Sequence, residues 1–221
     1  ERIEILGPEE TGTASAGVMD ADDWNHVTGF YDGNPVQLEQ ARIRGGTRVH
    51  RPTVRYHFRD VLASPSGFHV LGATFASAGG YYTEALKARN LVSRPQGFYA
   101  SNAVASRYFG HWLLDARGTA LLRSPAEDLY LWSDPGWLHA PAYLDLLGLN
   151  RLEQPFVHFE RMTYCDDVGQ NAHRRSRLMA LRSRLNQRRG RNEGGMVYLR
   201  RGQTGQLRAI VNEDDLVQTL I

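Results

Sequence analysis

From about residue 101 onward, apolar and polar positions alternate between helical and strand periods. Val104, Tyr108, Trp112, Leu113 and Leu121 recur at helical spacing and predict a helix over 101–122. A short apolar strand follows at 128–132 and is closed by Ser133-Asp134-Pro135-Gly136. Pro141 suits a first helical turn, so AYLDLLGL reads as a short helix that stops at Gly148. A second strand is expected at 154–159, a long basic helix at 172–189 with Gly190 as its stop, and a third strand at 196–199. Strand, helix, strand, helix, strand at these spacings predicts a parallel α/β sheet with crossover helices.

The first 100 residues read differently. Turn signals at Gly7-Pro8, Asp32-Gly33-Asn34-Pro35 and Gly45-Gly46 divide short apolar pieces, and no long helical period is present in 1–60. Residues 67–75 alternate well enough for one strand, and Gly79-Gly80-Tyr81-Tyr82 marks a turn. The expectation is a β-rich entry segment. The polar, glycine-rich run GRNEGG at 190–195 is a candidate linker.

Composition narrows the classes. In 221 residues, 42% hydrophobic and 10% aromatic content are enough for a packed core. A net charge of +2 gives no strong field, although Lys87 is the only lysine among 26 basic residues. Coding bias accounts for that; a surface for bidentate phosphate contacts is the functional alternative. Cys165 stands alone, which excludes a disulfide framework and a thiolate zinc site. No apolar run approaches the ~20 residues of a membrane span. The histidines lack metal-ligand spacing, as do Asp20, Asp22 and Asp23, Asp166-Asp167 and Asp214-Asp215, so no metal site is assigned.

Three features could carry chemistry. His111 and Asp115 are four apart, so both lie on one helix face. A carboxylate beside an imidazole suits a general base, and it equally suits a structural pair near a helix end. In the terminal segment, Arg200 and Arg201 close a strand, GQTGQ forms a turn and Arg208 follows it. Asn212 is placed to cap a helix whose first turn holds Glu213, Asp214 and Asp215, with Leu216 and Leu220 as its apolar stripe. Such strand–turn–helix units hold nucleotides in α/β sheets. Those acids would repel a phosphate at the helix end, so the arginines and turn amides would have to carry it. Third, Arg174, Arg175, Arg177, Arg182, Arg184, Arg188 and Arg189 crowd one helix, with Leu178, Leu181 and Leu185 as a narrow buried stripe. That helix reads as a solvated face, or less readily as a polyanion-binding one.

The order of these motifs resembles glycosyltransferase family 61 in its capsular or exopolysaccharide-type bacterial members. RYFGHWLLD matches the family's G-H-W-L-x-D-type helix and YLDLLGL its L-x-L-L-G helix. MVYLRR matches the (V/I)-Y-(L/I)-x-R-R strand, and Arg208 to Asp214 the Arg-hydrophobic-hydrophobic-Asn-Glu-(D/E) element. The likeness runs from about Ser101 to Ile221. It departs where Ala116-Arg117-Gly118-Thr119 replaces a Leu-Pro element, and where the family's glycine-rich donor loop is absent.

The resemblance implies two facing Rossmann-like domains in the GT-B arrangement. Residues 1–190 would form the N-terminal acceptor-side α/β domain, with 1–100 as its β-rich entry. Residues 191–221 would be the incomplete start of the nucleotide-sugar-binding domain, so the chain need not turn over by itself. The implied reaction is inverting transfer from a nucleotide-sugar donor to a glycan or lipid-linked glycan hydroxyl, in polysaccharide biosynthesis. His111 and Asp115 would supply the base and its orienting partner, in either order. Arg200, Arg201, Arg208, Asn212 and Glu213 would bind the donor. No metal, cofactor or nucleic acid is implied beyond that co-substrate. The implied location is the cytoplasm, with peripheral attachment to the inner membrane face as an extension. An inactive remnant that binds glycan or protein is the alternative.

Overall fold

The computed structural model describes residues 2–27, 35–76, 91–101, 104–133, 137–187 and 212–220. The chain divides into two compact units, Glu1–Arg188 and Arg189–Ile221.

The larger unit is a mixed α/β fold compatible with a Rossmann-like arrangement, built on a seven-stranded sheet. Its strands are β1 (Ile3–Gly7), β4 (Thr53–Ser64), β5 (Gly67–Val70), β6 (Ala73–Ala76), β7 (Val92–Tyr99), β8 (Asp128–Tyr130) and β9 (Val157–Asp166). They run in the order β6-β5-β4-β9-β7-β8, with β1 also paired to β4. β2 (Glu10–Ala14) and β3 (Gly46–His50) form a separate antiparallel ribbon.

Only β9, β7 and β8 are mutually parallel; β4 joins β9 antiparallel. The parallel α/β sheet expected from the spacing after residue 101 is present in part, as a parallel trio to which the entry segment adds an antiparallel meander. The reason is local. Residues 67–75 form a hairpin rather than one strand, and tight hairpins force antiparallel pairing. Gly72 supplies the positive φ of that turn, at 79°. Phe68 and Phe75 then stand opposite each other and stack at 5.1 Å.

Helices α3 to α5 occupy one face. α3 runs from Phe109 through an α turn (Phe109–His111), a π turn (Trp112–Ala116) and a further α turn (Arg117–Ala120). It starts later than the 101–122 pattern predicts because Tyr108 is extended, at φ −124°. α4 (Ala140–Leu147) ends at Gly148 in the left-handed conformation, as the sequence predicts. α5 (Ala172–Gln187) packs against both α3 and α4. The entry segment adds two helices that the periodicity does not show. α1 (Ala21–Asn25) is a single capped turn in which Asp20 accepts from the Asp22 and Asp23 amides. α2 (Val36–Ile43) buries none of its residues, so it carries no apolar stripe to detect.

Strand alternation sorts the core into two clusters. Phe98, Leu129, Leu131 and Cys165 face the helices and meet Trp112, Ala116, Leu144 and Leu181. Tyr99, Tyr130, Val157, Phe159 and Met162 face the other way and meet Val61 and Phe68, with no described helix in that cluster. Gly97 is fixed by the second cluster: a Cβ there would lie 2.2 Å from the buried Phe159 ring. Gly97→Ala is expected to cost about 1–3 kcal/mol by overpacking, read as a lower urea midpoint at unchanged slope.

In the smaller unit, α6 (Glu213–Leu220) is the described element. The predicted strand at 196–199 lies outside the described residues.

Candidate active site

A cleft of about 320 Å³ opens at the carboxyl ends of β7 and β9, where α/β sheets commonly bind ligands. α3 forms one wall. Trp112, Ala116 and Ala120 turn inward to the core, while His111, Asp115 and Thr119 line the cleft. Both sets are spaced by four, which the π turn accommodates. π turns inside α-helices recur at functional sites because they displace a local stretch of side chains and free backbone groups. Here the Asp115 carbonyl accepts from the Thr119 hydroxyl at 2.9 Å.

The side chains of the dyad are joined. His111 Nδ1 and Asp115 Oδ2 lie 2.7 Å apart. The other carboxylate oxygen, Oδ1, accepts from Arg174 Nη2 at 2.5 Å. Both carboxylate oxygens act as acceptors, so a neutral His111 would place its proton on Nδ1 and leave Nε2 as the acceptor. Asp115 thus joins the imidazole on one side to Arg174 on the other.

Arg174 comes from the basic helix, and its side chain is 11% exposed. It also donates to the Asp167 carbonyl. One turn on, Arg177 pairs with the Asp167 carboxylate, and both side chains are buried. Thr53 donates to Asp167 Oδ1 at 2.8 Å, and Asn171 donates to Thr53 Oγ1 at 3.1 Å. The fully buried Asn171 caps α5 by accepting from the Arg174 amide at 2.9 Å. Glu10 of β2 accepts from the Ala172 amide and pairs with Arg175, which together hold its carboxyl below the usual range. Two arginines of the helix read as solvated therefore turn inward to fixed carboxylates. The signal was present in the spacing: Arg174 and Arg177 share the stripe of Leu178, Leu181 and Leu185.

The remaining titratable groups of the cleft hold their protons. Burial pushes the Cys165 thiol up to about 11 and the Tyr164 phenol up to about 12, and raises Tyr99 well above its ordinary value. A buried thiol of that kind is no nucleophile at neutral pH. The same shifts predict alkaline lability. Cys165, Tyr164, Tyr99 and Tyr130 each keep a proton longer folded than unfolded. Their stabilising share is complete below the unfolded values, 9.0 for the thiol and 10.0 for the phenols, and is lost as pH rises through the folded ones. Arg117 opposes them. Fully buried with its guanidinium 3.4 Å from the centroid of the Trp112 ring, it is pushed down to about 9 by desolvation, so its share grows above that pH. The thiol and the guanidinium offset each other between about pH 9 and 10; above 10 the three phenols outweigh Arg117, and the urea midpoint is expected to fall as pH rises past about 10.

Of the donor-side residues expected from sequence, Arg200, Arg201 and Arg208 lie outside the described residues. Asn212 immediately precedes α6 and its carbonyl accepts from the Leu216 amide at 3.1 Å. Glu213 opens that helix with Asp214 and Asp215. Among the described residues, no group of three or more His, Cys, Asp or Glu could hold a metal ion. No helix among them is long and apolar enough to cross a membrane. No protein-family model, curated protein or solved structure matches the chain.

Proposed function

We propose that Glu1–Arg188 is the acceptor-binding half of an inverting, nucleotide-sugar-dependent glycosyltransferase of GT-B type, acting in polysaccharide assembly. The observation that carries this reading is the His111–Asp115–Arg174 array lining the cleft at the ends of β7 and β9. Inverting transfer needs one base to take the proton of the acceptor hydroxyl as the sugar bond forms on the opposite face. His111 Nε2 is that base; Asp115 holds the imidazole and stabilises the imidazolium that forms. Arg174 keeps Asp115 in place. The leaving diphosphate falls to Arg200, Arg201 and Arg208, with Asn212 and Glu213 on the donor as well.

The test is incubation of the protein with UDP-, GDP-, CDP- and ADP-sugars and a panel of oligosaccharide acceptors, with the product anomer read by NMR. Transfer from one donor class with inverted configuration is the expected result. Retained configuration in the product, or the absence of saturable binding of every acceptor to the protein, overturns the proposal.

A further inference from the structure

We infer a second ligand site, for an oxyanion, in an open groove of about 680 Å³ that none of the His111 chemistry uses. Its centre is fixed by strand register. Arg59 of β4 stands directly opposite Arg161 of β9, and Gln96 of β7 is the next neighbour of Arg161. Directly opposed antiparallel residues hold their Cβ atoms about 5 Å apart, a placement unfavourable for two like charges. Both arginines are exposed, and neither makes an ion pair or side-chain hydrogen bond among the described residues. Two guanidinium groups carried on opposed Cβ atoms can converge on one phosphate or carboxylate.

The surroundings favour an anion further. Arg2 lines the same groove, its guanidinium paired with Glu4 at 2.6 Å, and Ser124 adds a hydroxyl. The one carboxylate lining it, Glu127, is engaged in its own loop, where Oε2 accepts from the Ser124 amide at 2.8 Å. The backbone is also unusual here. Asp60, beside Arg59, holds φ 49°, left-handed for a non-glycine residue. Through that distortion Phe58 and Val61 both reach the second core cluster, although three apart, while Arg59 stays on the groove. A strained residue next to an opposed pair of like charges is a costly arrangement for a plain surface. An anion bridging the pair removes the repulsion.

The ligand class is a small phosphate ester or carboxylate, and this site stands independently of the transferase reading. Calorimetric titration at fixed ionic strength with inorganic phosphate, glucose 6-phosphate, glucuronate and glucose tests it. Saturable binding of at least one anion is expected, absent for glucose and weakened by added salt. Arg59→Gln and Arg161→Gln should each weaken it about tenfold or more. Preference for glucose 6-phosphate or for glucuronate identifies the headgroup. Both variants should melt at or above the wild-type temperature, because each removes one of two facing charges. No saturable anion binding, binding undiminished in either variant, equal binding of glucose, or lower melting of both variants would overturn the site.

Discussion

Asp167→Ala is expected to destabilise the larger unit by about 3–5 kcal/mol, the greatest loss of any single carboxylate substitution here. The side chains of Asp167 and Arg177 are only 7% and 9% exposed, so removal of the acid leaves a buried guanidinium without its counter-charge. It also strands the Thr53 hydroxyl, which donates to Asp167 and accepts from the buried Asn171 cap. In a unit of this length such a loss lowers the melting temperature by about 10 °C. Asp167→Asn should fall between, since the amide oxygen can still accept from Thr53. The neighbouring Asp166 is the control. It pairs at 2.9 Å with an Arg51 side chain that is 66% exposed, so Asp166→Ala should cost about 1 kcal/mol or less. Calorimetric melting of the three variants checks the order. Equal losses at Asp166 and Asp167 would show that the buried network does not hold the end of β9 to α5.

The second large effect is on catalysis. His111→Ala is expected to lower sugar transfer by about 10²–10⁴-fold, the range that a general base contributes. The His111 side chain is 56% exposed, so stability should change by no more than about 0.5 kcal/mol. Asp115→Asn should lower the rate in the same range by a different route. The amide can offer its NH₂ to Nδ1 and select the wrong tautomer, and it removes the negative charge facing Arg174. Because Arg174 is nearly buried, that variant should also melt lower, which His111→Ala should not. Initial transfer rates and melting curves on the same preparations separate the two roles.

Much of the larger unit could be read from the sequence because its signals are local. Gly148 stops α4, Asp128–Tyr130 is a short apolar strand, and α5 follows its leucine stripe. His111 and Asp115 were brought together by helix periodicity, and four residues on, their side chains meet. What the pattern missed depends on contacts distant in sequence. The antiparallel partnership of β4 with β9 joins residues more than 90 positions apart, and no periodicity within either strand specifies it. Arg174 and Arg177 read as solvated because arginines usually are. Their burial follows from two carboxylates, Asp115 and Asp167, that reach the same face from a different helix and from the end of β9. The hairpin within 67–76 was missed because a two-residue turn barely interrupts an alternating pattern. Helix α2 was missed because a helix with no buried residue leaves no apolar period.

The most direct test of the base assigned to His111 is imidazole ¹⁵N NMR while oligosaccharide acceptors are added. The account predicts a neutral ring protonated at Nδ1, held so by Asp115, whose Nε2 resonance shifts saturably with one acceptor class. Loss of that tautomer in Asp115→Asn should accompany it. A ring protonated at Nε2, or a resonance that no acceptor moves, would contradict the account.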